Sequence, residues 1–350
     1  MSETAVNTLL QICPNDHPPF RDLCAVYARA AGELGMRART VYLAPPMGAR
    51  GAQGEHAGVS YLGCEDLGRS RQVTRAFNAA VDAGPGTLVL CHRYRAYLIW
   101  LRSGQSAARV IALAHEFGFF KRLQRRVIRR VLARKVEFAG VSPAVVVELE
   151  KTVARAHELP NALDLEQLKA LSRDEARRAL GLPAEGRLCA VVGRLHRKKR
   201  PDLALTAFIA ADLPGWRLVF VGDGELRGAL ESQVRGESVI FTGFVEDARR
   251  YLAAFDALLM TSSAEEAFGM AALEAMAAGL PVVAPRVPGP QSVLGECGYY
   301  FDDASSEPVA RALCAAARDG GERAEEGIDR VRRDFSLSAV VRRLDSLRYF

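Results

Sequence analysis

The 350-residue chain has no run of about 18 or more apolar residues, so no transmembrane helix is expected. It has no CxxC pair. Its seven cysteines, at 13, 24, 64, 91, 189, 297 and 314, are scattered, and no spacing among them suits a zinc site. Cys13, Cys91 and Cys189 lie inside apolar runs and read as reduced core residues of a cytoplasmic protein. The first apolar run is short and has no basic segment before it, so no signal peptide is expected. Low-complexity tracts and internal repeats are absent too. Acid is missing from one stretch in particular: between Gly118 and Val136 there are eight Lys and Arg residues and no Asp or Glu.

What is present is ordinary for a globular protein, with 49% hydrophobic and 25% charged residues. A single core stops growing near about 250–300 residues, so this length points to two domains. Apolar strand patterns fall at 6–13, 38–44, 87–91, 109–114 and 136–141, with helical patterns at 20–34, 70–82, 119–134 and 143–153. After a break around 160–187 the alternation resumes. Strands are expected at 188–192, 217–221, 238–242, 256–261 and 281–284, and helices at 201–210, 224–233, 246–253, 269–278 and 306–318. Strands alternating with helices predict an α/β protein of two doubly wound parallel sheets, each covered on both faces. The boundaries read as 1–165 and 166–335, with a C-terminal helix over 336–350 packing back on the first domain.

Three polar segments in the second half each follow a strand. They are Gly193-Arg194-Leu195-His196-Arg197-Lys198-Lys199, Gly222-Asp223-Gly224, and the run from Ser262 to Glu274. In a parallel sheet these carboxyl ends emerge on one edge and line one crevice. Arg194 and Lys199 are suited to phosphate oxygens. A helix starting near Phe268-Gly269 would present free amides to the same crevice, and Gly269 would let a ligand approach the backbone. Glu266 in the loop and Glu274 about a turn and a half into the helix are acceptor-only groups, suited to vicinal sugar hydroxyls. Singly, each signal is weak, because most loop cations and helix glutamates are merely solvated. Their order and their common place at strand ends carry the argument.

These residues resemble the nucleotide-sugar half of a retaining glycosyltransferase with the GT-B fold, of glycosyltransferase family 4. The matching motifs are G-R-L-x-x-x-K at 193–199, V-G-D-G at 221–224, F-T-G-F-V at 241–245 and E-x-F-G-x-x-x-x-E-A-M-A-x-G-x-P-V-V at 266–283. Fainter echoes are Val141-Ser142 and Leu159-Pro160-Asn161-Ala162-Leu163-Asp164. The resemblance implies two Rossmann-like domains facing a central cleft, with Arg194 and Lys199 on the donor diphosphate. Glu274 would accept from the ribose hydroxyls, and Glu266 would contact the transferred sugar. Backbone groups at Gly222, Gly243, Phe268, Gly269 and Met270 would complete the donor site. No metal or other cofactor is implied. The chain departs from the family at Arg286–Val293, which has one glycine and no glutamate, at Ala162 where glycine is common, and at Pro14–Phe20, which is not glycine-rich. These departures bear on which sugar is carried.

In the first half, His115 ends the 109–114 strand, and the resemblance places it beside the reacting sugar, with a strand-edge structural histidine as the other reading. His92, Arg93 and His17 follow other strand ends and read as structural or acceptor-related. In the basic segment, Phe120, Leu123, Val127, Ile128 and Val131 share one helical face. It is either a surface helix packed on its own sheet or a contact for an anionic membrane or phosphorylated acceptor. It lacks an RNA-binding motif, and no nucleic-acid partner is expected. The expected activity is hexosyl transfer from a UDP-sugar or similar donor to a glycan or glycolipid in lipopolysaccharide-core or exopolysaccharide synthesis. The enzyme would be cytoplasmic or peripheral on the inner membrane face. A sugar-nucleotide epimerase and a non-catalytic nucleotide-sugar-binding protein are the alternatives.

Overall fold

The structure is a computed structural model that describes residues 6–48, 54–131, 135–234, 236–318 and 321–348. The chain divides into two compact units, one running to Leu163 and resuming at Asp334, the other spanning Asp164–Arg333.

The first unit contains β1 (Thr8–Cys13), α1 (Phe20–Glu33), β2 (Arg37–Tyr42), β3 (Gly54–His56), β4 (Val59–Tyr61), α2 (Ser70–Ala80), β5 (Thr87–His92) and α3 (Arg93–Ser103). It continues with β6 (Arg109–Ala114), α4 (Leu123–Val131), β7 (Glu137–Gly140), α5 (Pro143–Glu150) and β8 (Ala156–Glu158). Its sheet order is β3-β4-β2-β1-β5-β6-β7-β8, parallel throughout except for β3 against β4. β5 is buried along its whole length, as a central parallel strand covered on both faces must be.

The second unit contains α6 (Arg173–Ala179), β9 (Arg187–Val192), α7 (Pro201–Ala211), β10 (Trp216–Val221), α8 (Arg227–Glu231), β11 (Val239–Gly243) and β12 (Ala257–Leu259). After these come α9 (Met270–Ala277), β13 (Val282–Pro285), α10 (Pro288–Leu294), β14 (Gly298–Phe301), α11 (Ser306–Ala317) and α12 (Glu322–Asp334). All six strands are parallel, in the order β11-β10-β9-β12-β13-β14. The final helix, α13 (Leu337–Ser346), returns to the first unit and packs on α1. Leu163 N–H donates to the Phe335 carbonyl at 2.8 Å where the chain re-enters that unit.

Every expected strand is present, with shifted ends. Three expected helices differ. The segment 246–253 forms a 3₁₀ turn, Ala248–Ala254, and 224–233 shortens to α8. The basic helix starts only at Leu123, because Phe119 and Phe120 turn inward against Tyr97 and Phe138 before it begins. Two residues of its expected apolar face are exposed, Leu123 at 73% and Val127 at 49%. Residues 132–134 of that expected helix lie outside the described residues. Unexpected elements are β3, β4, β8, β14, α3, α10 and α12. The α3 helix follows β5 directly, through Arg93 at φ +70°, and its residues from Ala96 to Leu101 are all buried. A helix buried all round has no amphipathic period to betray it.

One buried charge organises the base of the second unit. Ser172 and Glu175 form a capping box that starts α6, and this places Arg177, only 2% exposed, under β9. Its guanidinium donates to the carbonyls of Ala254 (2.9 Å), Ala184 (2.7 Å) and Gly186 (2.9 Å) and to Asp256 Oδ2 (3.3 Å). Asp256 Oδ2 also accepts the Leu188 N–H at 2.8 Å. Truncating one partner of such a network strands the others, which costs about 3–5 kcal/mol. Arg177→Ala is therefore expected to raise amide exchange in β9 and β10 at low urea by two or more orders of magnitude. Unchanged protection there would refute the assignment.

Candidate functional site

In the second sheet the strand order reverses between β9 and β12, the place where open α/β sheets bind ligands beyond their carboxyl ends. The loops after β9, β10 and β12 meet there. Gly193 (φ +134°) and Gly222 (φ +145°) adopt backbone that L side chains rarely take. A Cβ on Gly222 would strike the Gly193 carbonyl, and one on Gly224 would strike that of Leu195. Gly193 N–H donates to Val221 O (3.0 Å), Gly222 N–H to Gly243 O (2.9 Å) and Leu195 N–H to Asp223 O (2.9 Å). Backbone contact this close is open only to glycine.

Across the switch point, Lys199 Nζ donates to Glu266 Oε2 at 2.6 Å and Lys198 Nζ approaches Glu265 Oε2 at 2.7 Å. Thr261 Oγ1 donates to the carbonyls of Lys199 and Arg200, and Ser263 N–H donates to that of Lys198, so the two loops are fixed together. Arg194 is exposed and has no side-chain partner among the described residues. Gly269 (φ +104°) precedes α9, whose first-turn amides lack intrahelical acceptors. Phe268 is buried beneath that turn, while Met270 and Glu274 are partly exposed on α9. Gly279 (φ +74°) ends the helix, with Leu280 N–H donating back to Ala275 O at 3.0 Å. The single glycine of the divergent 286–293 stretch is sterically required: a Cβ on Gly289 would strike the Glu266 carbonyl.

In the first unit, His115 lies just beyond β6 and His92 closes β5. Gln11 Nε2 donates to Cys24 O (2.8 Å) and Thr40 Oγ1 (3.0 Å), which leaves its Oε1 to accept from His92 Nε2 at 3.2 Å. His92 Nδ1 is then bare and accepts from His115 Nε2 at 3.1 Å. The Phe20 and His115 rings meet edge to face, 5.0 Å between centroids. Burial pushes His92 down to about 4. Loss of water around the ring, then the neighbouring His92 and Arg93, holds His115 well below the usual histidine range. Both rings are neutral near pH 7, in tautomers set by Gln11. Arg93 Nη2 pairs with Glu116 Oε1 at 2.7 Å, and His17 is exposed.

Comparisons with known proteins bear on the fold and on the second unit's sequence. Residues 186–319 match the family model described as glycosyl transferases group 1. Over 175 residues the chain is 36% identical to the lipopolysaccharide core biosynthesis glycosyltransferase LpsE of Rhizobium meliloti, covering 47% of this chain and 50% of that one. The match thus spans about half that relative's length. Among solved structures, Anabaena HepE in complex with UDP and glucose superposes with a TM-score of 0.77 at 18% identity, covering 97% of this chain and 98% of that one. WaaG, a glycosyltransferase involved in lipopolysaccharide biosynthesis, superposes at 0.66 with 16% identity, covering 97% and 99%. The fold is GT-B.

Within the second GT-B domain, Gly243 ends β11, and Arg194, Lys199, Gly222, Glu266, Phe268, Gly269, Met270 and Glu274 belong to the strand-end loops or to α9, on one edge of the sheet. Sequence reasoning did not find Gln11, nor the pairing of Lys199 with Glu266. A glutamine inside the Leu-Leu-Gln-Ile-Cys strand was the available signal, since a buried amide needs partners. Among the described residues, no three His, Cys, Asp or Glu side chains gather closely enough to hold a metal ion.

The two histidines make stability pH-dependent. Because the folded state holds them neutral, their contribution is fully present above the ordinary histidine value of about 6.5 and is lost as pH falls toward 4. Thermal melts should show Tm falling across this window. His92→Gln should flatten that fall, and an unaltered slope in the variant would contradict the assignment.

Proposed function

We propose that this protein is a retaining glycosyltransferase that moves a sugar from a nucleoside-diphosphate sugar, UDP-linked, to a glycan or glycolipid. The observation that carries the reading is the gathering of Arg194, Lys199, Glu266 and the α9 start at the β9/β12 switch point. Charge develops on the departing diphosphate, and fixed cations beside helix amides stabilise it. Arg194 and Lys199 take the diphosphate, which replaces Glu266 as the acceptor of the Lys199 protons. Glu266 then turns to the hydroxyls of the transferred sugar. Glu274 accepts from the ribose hydroxyls. Gly222, Gly243 and the backbone at Phe268, Gly269 and Met270 shape the donor pocket. These cations stand where a divalent metal would otherwise serve, so the reaction is read as metal-independent.

His115 is assigned a neutral hydrogen-bonding role at the sugar, since its low proton affinity and its wiring to His92 suit orientation better than proton storage. The UDP in the HepE structure and the part of LpsE in lipopolysaccharide core biosynthesis support a UDP donor and a lipopolysaccharide-core or exopolysaccharide acceptor. Exposed Leu123 and Val127 among the arginines of α4 support a peripheral contact with an anionic membrane surface, for a lipid-linked acceptor at the cytoplasmic face. No described helix is long and apolar enough to cross a membrane.

A thermal-shift panel of UDP, GDP, ADP and dTDP, with and without sugar, tests the donor site, because ligands of the native state raise Tm by mass action. UDP should give the largest shift. Glu274→Ala and Arg194→Ala should each weaken UDP by about 10–100-fold, the worth of one charge-assisted hydrogen bond. No shift with any nucleotide would defeat the reading. An epimer formed from donor alone would redirect it to another reaction.

A further inference from the structure

The first sheet has its own reversal of strand order, between β1 and β5, and a hollow of about 570 Å³ opens at that edge, walled by α3 and α4. Its charge is one-sided. Arg93, Arg95 and Arg102 line it from α3, Arg122 and Arg125 from the α4 side, and Glu116 is the one acid. Arg93 is held by Glu116 at 2.7 Å and lies over the Phe20 ring at 5.1 Å. It keeps this position at φ +70°, a strained backbone for a side chain of its size, of a kind that clusters at binding sites. Arg125 is spent on the carbonyls of Gly118 (3.1 Å) and Phe119 (2.9 Å) and stacks on Tyr94 at 4.2 Å. The side chains of Arg95, Arg102 and Arg122 have no ion pair or hydrogen bond among the described residues.

Three uncompensated guanidinium groups around one concavity repel one another and concentrate anions. Each presents a planar fork that matches phosphate or carboxylate in two-point contact. Packing alone would not favour this arrangement, since the unpaired arginines contribute no internal bond. A neutral sugar would leave their charges unanswered.

We propose that this hollow binds the acceptor through an anionic group, a phosphate or a carboxylate, so that sugar is delivered to a charged glycan and not to a neutral one. The word acceptor rests on the glycosyltransferase reading. The anion site is tested independently of it.

Calorimetric titration of the full chain at low salt with glucose 6-phosphate, glucuronate and glucose, with UDP in parallel, decides the matter. One or both anionic sugars should bind at least tenfold more tightly than glucose, and which of them does so tells phosphate from carboxylate. Arg95→Gln combined with Arg122→Gln should lose at least tenfold of that affinity with UDP affinity unchanged. Arg102→Gln alone serves if the double variant melts early. Equal binding of all three sugars would overturn the proposal, as would an equal loss in Arg311→Gln, a surface arginine of the second unit. UDP binding without any preference for anionic sugars overturns this site and leaves the donor reading standing. Preference for anionic sugars without UDP binding does the reverse.

Discussion

At the carboxyl ends of β9 and β10 two backbones run so close that a single methyl group at residue 222 would collide with the Gly193 carbonyl oxygen. The loops can interlock only because glycine stands at 193, 222 and 224. The same device recurs across the switch point, where Gly289 admits the Glu266 carbonyl. Side chains from distant parts of the chain converge there because nothing but backbone fills the space between their loops. The positions of Lys199, Glu266 and the start of α9 all depend on it.

Charge is used in two different ways in the second unit. Arg177 is sealed from water, and its donors meet carbonyls and Asp256, so it acts on stability. Lys199–Glu266 and Lys198–Glu265 are partly or largely exposed, and pairs of that kind contribute about 0–1 kcal/mol. They hold the fold together very little. They bring cation and carboxylate together at the switch point, where the two loops meet. In the first unit the balance is different again, with arginines in surplus around the α3–α4 hollow and neutral histidines wired through Gln11 beside it.

Much of this was readable from residue order. Strands such as Leu188–Val192 and Trp216–Val221 announce themselves because parallel strands covered on both faces become continuous apolar runs. The 266–283 motif could be placed on a loop, a helix and a strand because Gly269, Gly279 and Pro281 punctuate it. Other elements left no such trace. The α3 helix follows β5 without a turn residue, and its stretch from Ala96 to Leu101 is buried on every side, so it carries no amphipathic period. The α10 helix is short and begins Pro-Gly-Pro, a composition that reads as loop. On α4, Leu123 and Val127 have helical spacing that suggests a packed face, yet spacing cannot say whether a partner surface exists, and they are exposed.

The sequence by itself determined the α/β alternation, the strand-end location of Arg194, Lys199 and Glu266 and the basic bias of 119–135. These follow from local periodicity and from the rule that parallel strands share one carboxyl edge. Tertiary structure alone decided which residues touch. The Lys199–Glu266 pair spans 67 positions and the Gln11–His92 contact 81. Neither separation leaves a periodic mark, because the order of strands in a sheet is set by packing and not by order along the chain.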